Sequence, residues 1–337
     1  MADACIAEKY IVGAYTTSPN LYTWDCDLES TYFRGLKKNE LIRGLELPFW
    51  GEHLHPFDDE WLLSNLEPSW QNVLTCVPGT MKFLETDSYF GLASVKQDSR
   101  RKAINFYRRV FDCINTLKSN FGNKSVIAVF ITSSPFINGE FSNADYESFA
   151  LSLDELASRN WQSTRVVIEH CDALNKKNIN PKKGFLSIEQ EIETLKNIND
   201  KWSVDFGIVI NWGRSAIEHR DIYGPIEHIK LVNAHNLLSG VMFSGTTDNN
   251  NNLYGAWSDM HMPPATFSSF EYFESESLMT FENIKNSLKI CNLDKLDFLG
   301  IKLLALPAES SMEKRISINK DSLILLKRAI NETKNCG

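Results

Sequence analysis

The sequence predicts a single (β/α)8 barrel, and three observations lead to this fold class. Short apolar runs rich in β-branched residues recur between helical stretches from Tyr10 to Leu306. Several of these runs end in polar residues where a strand should stop. Strands that alternate with helices form a parallel sheet, and eight β-α units close into a barrel. The predicted strands are residues 10–15, 44–48, 73–77, 126–132, 164–169, 206–211, 240–243 and 298–306.

The helices are predicted from apolar periodicity and from capping residues. The segment 99–121 places Ala103, Phe106, Val110, Ile114 and Leu117 on one helical stripe. Residues 142–145 are a plausible cap for the fourth helix, and Ser187 and Gln190 have the spacing of a capping box for the fifth. Further helices are expected at 31–39, at 226–238, at 281–291 and around Leu323, Leu326 and Ala329. The stretch 244–277 after strand seven has no clear period and is expected to be a long loop.

The composition favours an enzyme that acts on small molecules over a protein that binds nucleic acids. A chain of 337 residues without a Pro/Gly/Ser-rich linker is expected to be one domain, residues 1–337. The formal net charge of −8 argues against binding to a phosphate backbone. No run is long enough to span a membrane, and residues 1–9 do not resemble a secretion signal. Seven scattered cysteines, without a C-x-x-C pair, fit a reducing cytoplasm.

The strongest local signal follows strand five. Glu169 comes directly after four β-branched or aliphatic residues, so it is expected at the mouth of the barrel, where it could bind a divalent metal or transfer a proton. The alternative is a solvated acid at the end of a strand. His170 would face the opposite side of the strand and serve packing or support the site.

Strands six and seven supply further polar side chains. Asn211 can offer an amide oxygen to a metal or a substrate hydroxyl, and Arg214 can bind a carboxylate or phosphate. The alternative is a loop filled by Trp212 with a surface arginine. After strand seven, Asp259 and His261 would lie on one side of an extended backbone and suit manganese, iron or zinc. A loop acid with a histidine surface contact is the alternative.

Strand two and the segment after it offer a substrate wall. Glu46 could orient a substrate, and Trp50 could pack against a sugar ring, although Phe49 and Trp50 could equally fill the core. His53 and His55 have the same spacing as Asp259 and His261 and are weaker candidates for metal ligands.

Strand eight carries a lysine within an apolar run. Burying the ammonium group of Lys302 there costs free energy unless it reaches the barrel mouth or a carboxylate, or extends to solvent. Glu309 follows in a loop and is either a ligand or a simple loop acid.

At these residues the chain resembles the xylose-isomerase-like TIM barrels, a superfamily of sugar isomerases, sugar epimerases and type IV apurinic endonucleases. The stretches 12–19, 44–49 and 90–94 also resemble an uncharacterised bacterial family of that superfamily. The resemblance covers nearly the whole chain, but its motifs are short, so it supports the fold better than the activity.

The resemblance implies one divalent metal (Mn, Mg, Zn or Fe), and the chain departs from its pattern. Glu169 matches the glutamate after strand five. Asn211 replaces the usual aspartate after strand six, and Arg214 stands where a histidine often follows. Ser244 lies in the region of the strand-seven histidine, and Lys302 or Glu309 takes the position of the last glutamate. Asp259 and His261 match an Asp-x-His of the endonuclease-like members.

These substitutions leave two kinds of site open. A metal could be held by Glu169, Asp259 and His261, or the site could be metal-free with Lys302 and Glu169 as an acid–base pair. The leading hypothesis is an isomerase or epimerase of a sugar or related polyhydroxy compound, in which Glu169 removes a proton next to a carbonyl. The alternatives are a metal-dependent hydrolase or oxidase of a small molecule and a non-catalytic sugar-binding barrel. A homo-oligomer is left open, as is the identity of the substrate.

Overall fold

Eight parallel strands form a closed barrel in the computed structural model, which describes residues 8–20, 24–137, 142–267 and 270–335. Each strand pairs with the next one along the chain, and the first pairs with the last. The predicted (β/α)8 barrel is therefore confirmed. The strands are β1 (Tyr10–Val12), β2 (Ile42–Pro48), β3 (Asn72–Thr75), β4 (Val126–Ile131), β5 (Arg165–His170), β6 (Gly207–Asn211), β7 (Leu238–Phe243) and β8 (Phe298–Ile301).

Ten α-helices surround the barrel within the described residues. They are α1 (Cys26–Lys37), α2 (Asp59–Asn65), α3 (Val77–Leu84), α4 (Gln97–Phe121), α5 (Tyr146–Ala157), α6 (Ile188–Trp202), α7 (Trp212–His219), α8 (Gly224–Ala234), α9 (Phe281–Lys289) and α10 (Met312–Lys334). The predicted stripe of α4 is buried along its length. The predicted capping box of α6 is present, since Ser187 and Gln190 each bond the other's backbone N–H.

Three short helices, α2, α3 and α7, were not predicted from the sequence. Pro78 and Gly79 are residues typical of turns, but Pro78 lies in the first turn of α3, where its missing N–H is no loss. The loop filled by Trp212 that was the alternative after strand six is not found, since this segment forms α7 with Asn211 as its N-cap. Gly213 is needed there because a Cβ atom would come within 2.5 Å of the Ser244 carbonyl oxygen.

The interior of the barrel has an apolar layer below a polar one. The apolar layer is a buried cluster of Ile11, Val73, Ala128, Phe130, Val167, Val209, Met242 and Phe298. Because side chains alternate along a strand, residues two positions further toward the carboxyl ends point into the barrel as well. These residues are Thr75, Thr132, Glu169, Asn211 and Ser244, and Glu46 on β2 pairs in register with Val73. The strand geometry thus concentrates polar side chains at one end of the barrel.

Outside the barrel, the long segment between β7 and α9 forms only isolated bridges among its described residues, including Gly245 with Met262. Residues 268 and 269 of the predicted loop lie outside the described residues, as do Cys5 and Cys336. The other five cysteines are free thiols. Among the described parts of the chain, none of the helices combines the length and the hydrophobicity that crossing a membrane requires.

Candidate functional site

A buried lysine joins two glutamates at the carboxyl ends of the strands. The Lys302 Nζ lies 2.7 Å from Glu46 Oε1 and 3.6 Å from Glu169 Oε1. All three side chains are almost completely buried. Of the alternatives left open for Lys302, the structure shows the carboxylate partner at the mouth of the barrel, and the ammonium group does not extend to solvent. Gly13 leaves room for this contact, since a Cβ there would lie 2.9 Å from Lys302 Cγ and 3.1 Å from Glu46 Oε2.

The two glutamates have opposite pKa shifts. Burial alone would raise the pKa of Glu169, but the charges of Arg214 and Lys302 outweigh burial and lower this pKa to about 2. Burial dominates at Glu46 and raises its pKa, with Lys302 opposing the shift and Glu169 adding to it. Burial opposes the charge of Lys302 as well, yet Glu169 and Glu46 raise the pKa of the lysine. The lysine is thus a fixed cation between a firmly ionised carboxylate and one that holds a proton more readily.

A second set of ion pairs extends this network across the mouth. Arg214 donates through Nη1 to Glu169 Oε1 at 2.5 Å and through Nε to Asp259 Oδ2 at 3.0 Å. Lys183, from the segment between β5 and α6, also pairs with Asp259 Oδ2. Arg214 is 2% exposed, so it is not a surface arginine. The first residues of α7, whose N-cap is Asn211, carry this guanidinium into the barrel.

His261 and Ser244 close the network on the side of β7. His261 Nδ1 lies 3.4 Å from Asp259 Oδ1 and 2.8 Å from Ser244 Oγ. The two residues of the Asp-x-His motif do lie together, but His261 has a left-handed φ of 50° and not the extended backbone expected from the sequence. Burial lowers the pKa of His261 to about 3, with Asp259 opposing and Lys302 adding to the effect, so the imidazole is neutral.

The donor set at the mouth does not fit a divalent metal. Of the three carboxylates predicted as ligands, Glu169 and Asp259 lie at the mouth, and the Arg214 guanidinium bridges them. Three cations (Lys183, Arg214 and Lys302) already neutralise three carboxylates (Glu46, Glu169 and Asp259). A divalent ion would have to displace an arginine whose neighbours are also held by lysines, and the added positive charge would be uncompensated.

A cavity of about 770 Å³ opens beside this network, over β1 and β2. Its wall includes Glu46 and Tyr15 together with Trp50, His53 and His55. Trp50 is half-buried, and His53 is exposed at the rim. The remaining wall is largely apolar and includes Phe33, Leu45, Leu54 and Phe57. Glu46 is therefore the carboxylate of the network that lines the cavity.

Two predicted site residues lie elsewhere. His170 faces outward from β5, as expected from its position next to Glu169, and pairs with Glu191 and Glu218. Glu309 is exposed in the segment before α10 and makes no described contact with the residues at the mouth. Sequence reasoning missed Tyr15, Thr75 and Lys183. Thr75 donates to Glu169 Oε2 at 3.1 Å, and as the last residue of β3 it could have been found by the same strand-end rule.

Within the described residues, one group of side chains has the spacing of metal ligands, and it is outside the barrel. The ligand atoms of His170, Glu218 and His228 all lie within 4.8 Å of one another, and all three residues are buried. This group includes one residue, His170, that the sequence had singled out.

The family model described as "Domain of unknown function (DUF4862)" matches residues 11–318. The uncharacterized protein STM3670 of Salmonella typhimurium is 36% identical over 320 residues, which is 95% of this chain and 97% of that protein.

Solved structures share the fold at low sequence identity. A D-psicose 3-epimerase, solved in the presence of D-fructose, has a TM-score of 0.57 and 10% identity over 95% of this chain and 99% of its own. The IolI protein, solved with a bound zinc atom, has a TM-score of 0.53 and 11% identity over 95% of this chain and 98% of its own. The chain therefore shares its barrel fold with a structure described as a xylose isomerase-like TIM barrel, as the resemblance predicted.

Proposed function

The chain belongs to the family described as Domain of unknown function (DUF4862), and we propose that it is an isomerase or epimerase of a sugar or related polyhydroxy compound. The reaction is proton transfer at a carbon next to a carbonyl, without a metal at the mouth of the barrel. The observation that carries the proposal is Lys302, a buried cation held between two carboxylates of opposite pKa shift beside an open cavity.

The pair of glutamates supports a division of roles. Proton transfer requires a group whose pKa lies near the working pH and which reaches the substrate. Glu46 meets both conditions better than Glu169, because its pKa is raised, it lines the cavity and its Oε2 is buried without a hydrogen-bond partner. Glu169, which the sequence suggested as the base, is held by Arg214, Lys302 and Thr75. We assign it the role of positioning Lys302.

The proton balance of the reaction is as follows. The Glu46 carboxylate takes the proton from the carbon next to the carbonyl, and the electron pair moves onto the carbonyl oxygen to give an enediolate. The Lys302 ammonium, immediately behind Glu46, stabilises this negative charge in a water-poor environment. Return of the proton from Glu46 to the neighbouring carbon, with a hydroxyl proton moving between the two oxygens, gives an isomer. Protonation of the same carbon by a water molecule on the opposite face gives an epimer, and the resulting hydroxide takes the proton from Glu46.

The cavity supports a substrate with both polar and apolar faces. Trp50 and Tyr15 offer aromatic surfaces, while Glu46 offers a polar contact on the same wall. This composition, mostly apolar with a few converging polar groups, is typical of small-molecule sites. The D-psicose 3-epimerase with the same fold acts on a ketose, which makes ketoses the first compounds to test.

Exchange of carbon-bound hydrogen with D2O tests the reaction, because exchange occurs even where the product is not known. A panel of ketoses and aldoses is incubated with the protein in D2O, and deuterium next to the carbonyl is measured by NMR. We expect exchange and conversion with the wild type, and loss of both by at least about 100-fold in E46Q. The matched control is E52Q, which changes another carboxylate of the cavity wall. Glu52 makes no described contact with Lys302, so this variant should retain the activity.

Two results would overturn the proposal. Undiminished exchange in E46Q would remove Glu46 from the chemistry. If sugars raise the Tm of the wild type but no hydrogen exchange occurs, the protein is instead a non-catalytic sugar-binding barrel. The neutralisation of the three carboxylates at the mouth also favours this alternative.

A further inference from the structure

Three histidines and a glutamate converge on the outer side of the barrel wall. We propose that His170, Glu218, His219 and His228 form a binding site for one zinc-class divalent metal ion, separate from the mouth of the barrel. His170 comes from β5, Glu218 and His219 from the end of α7, and His228 from α8. The inference does not depend on the proposed function.

The distances between the ligand atoms match those around a tetrahedral metal. Zinc bonds to nitrogen and oxygen of about 2.0–2.2 Å place neighbouring ligand atoms roughly 3.4 Å apart. His170 Nε2 lies 3.0 Å from Glu218 Oε2, and His228 Nε2 lies 3.7 Å from Glu218 Oε1. His219 Nε2 lies 3.0 Å from His228 Nε2. His170, Glu218 and His228 thus supply ligand atoms that all lie within 4.8 Å of one another, and His219 adjoins this group through His228.

The outward nitrogen of each ring has a partner of the kind that supports a metal-bound histidine. His170 Nδ1 lies 2.8 Å from Glu191, His228 Nδ1 lies 2.9 Å from Ser215 Oγ, and His219 Nδ1 lies 3.2 Å from Glu227. Metal-ligating histidines bond a carboxylate, a carbonyl or water in this way, which fixes the ring and leaves Nε2 as the donor to the metal. The Nε2 atoms of His170 and His228 both lie beside the Glu218 carboxylate, and His219 Nε2 lies beside His228 Nε2.

The contact between two ring nitrogens also indicates a missing cation. A carboxylate at His219 Nδ1 fixes the proton on that nitrogen in the neutral ring, so the Nε2 lone pair faces His228 Nε2. A shared metal ion satisfies both lone pairs at once. The competing arrangement is a proton on His228 Nε2, with Ser215 donating to His228 Nδ1.

The charges near the cluster favour the metal over the proton. Two buried carboxylates face His170, namely Glu191 and Glu218, and no lysine or arginine contact with either is described. Glu191 accepts from Ser133 and Glu218 from the Ala173 backbone N–H, which are neutral donors. One imidazolium leaves this pair with a net negative charge, whereas a divalent ion with three neutral imidazoles balances it.

The position of the site suggests a structural role with an open entry path. The ligands tie α7 and α8 to β5, and α7 also carries Arg214 into the mouth of the barrel. His170, Glu218 and His228 are buried, while the side chain of His219 is 23% exposed. A metal ion can therefore enter from the surface at His219.

Metal analysis of the purified full-length chain tests the site. We expect about one zinc per chain after reconstitution with Zn²⁺ and desalting, and tetrahedral ligand-field absorption after reconstitution with Co²⁺. H228N should lower the affinity for Zn²⁺ by at least about 100-fold and abolish the Co²⁺ absorption. The control H235N changes a histidine from the loop directly after α8 and should match the wild type.

A second variant, at the partly exposed His219, tests the site if H228N does not fold. We expect H219A to fold and to bind Zn²⁺ about tenfold or more weakly than the wild type, as measured by competition with a chelator. Substoichiometric metal, with no Zn²⁺-dependent rise in Tm and no Co²⁺ absorption, would overturn the proposal and leave a proton-linked ion-pair network. Equal affinities of H219A and the wild type would remove His219 from the ligand set.

Discussion

The two faces of β5 carry neighbouring polar residues with different electrostatic surroundings. Glu169 points into the barrel, where Arg214 and Lys302 neutralise it. His170 points outward, where Glu191 and Glu218 surround it without a described lysine or arginine partner. The inner face therefore has its cations built into the chain. On the outer face burial opposes the charge of His170, yet Glu191 and Glu218 outweigh burial and raise its pKa to about 10, and two carboxylates share this one histidine. Buried carboxylates alone therefore do not indicate a metal site. The ligand groups must also lack a lysine or arginine that neutralises their charge.

Removing Lys302 should have the largest effect on the inner face. K302M leaves Glu46 and Glu169 buried without their shared cation, which costs about 3–5 kcal/mol of the free energy of unfolding. Urea denaturation measures this loss, and the double variant K302M/E46Q should recover part of it. A K302M protein as stable as the wild type would contradict the compensation of charges at the mouth.

The pH dependence of stability should separate the two glutamates. The pKa of Glu169 is lowered from 4.5 to about 2, so its contribution is present above pH 4.5 and is lost as the pH falls toward 2. The magnitude is on the order of 3 kcal/mol. The pKa of Glu46 is raised, so its effect has the opposite sign, and stability falls as the pH rises through its folded-state pKa.

Denaturation curves between pH 3 and 8 check these signs. We expect E46Q to remove the fall in stability on the alkaline side and E169Q to remove the loss on the acid side. Identical pH profiles of E46Q and the wild type would show that Glu46 is not perturbed.

Gly13 offers a smaller and more local test of the same contact. In G13A the added methyl group would lie 2.9 Å from Lys302 Cγ and 3.1 Å from Glu46 Oε2, so the pair must move apart. We expect a loss of about 1–2 kcal/mol in the free energy of unfolding. The rate of exchange of carbon-bound substrate hydrogen should fall by a larger proportion than the stability does. Gly13 has a φ of −72°, which alanine adopts without strain, so the loss reports the contact with Lys302 and Glu46.

Trp50 should give the smallest effect, since it contacts the substrate only through the cavity wall. W50A is expected to raise KM by about three- to tenfold with little change in kcat, because it removes binding that does not differ between ground state and transition state. An equal fall in kcat would place Trp50 closer to the reacting atoms than the cavity suggests.

The sequence predicted the barrel well, because the alternation of strands and helices follows from local periodicity. The predicted strands 10–15 and 298–306 were too long, since β1 ends at Val12 and β8 at Ile301. All eight strands are found, and Glu169 lies at the end of the barrel where the strand-end rule expects it. For Lys302 the sequence left the barrel mouth, a carboxylate partner and solvent open as alternatives. The pairing of Lys302 with Glu46 could not be predicted, since it joins residues 256 positions apart and depends on barrel closure.

The rest of the site depends on helices and loops whose paths have no local signal. Lys183 reaches Asp259 from the segment between β5 and α6, and α7 carries Arg214 between two carboxylates. The outer cluster was missed for the same reason. His219 and His228 lie nine residues apart on two helices, and only the packing of these helices against β5 brings them to His170.

Anomalous X-ray diffraction from crystals grown with Zn²⁺ or Mn²⁺ tests the contrast between the two faces of β5 most directly. We predict a metal peak among His170, Glu218, His219 and His228, and no peak between Glu169 and Asp259, where the Arg214 guanidinium should remain. A peak at the mouth of the barrel, with Arg214 displaced and the outer cluster empty, would contradict the account.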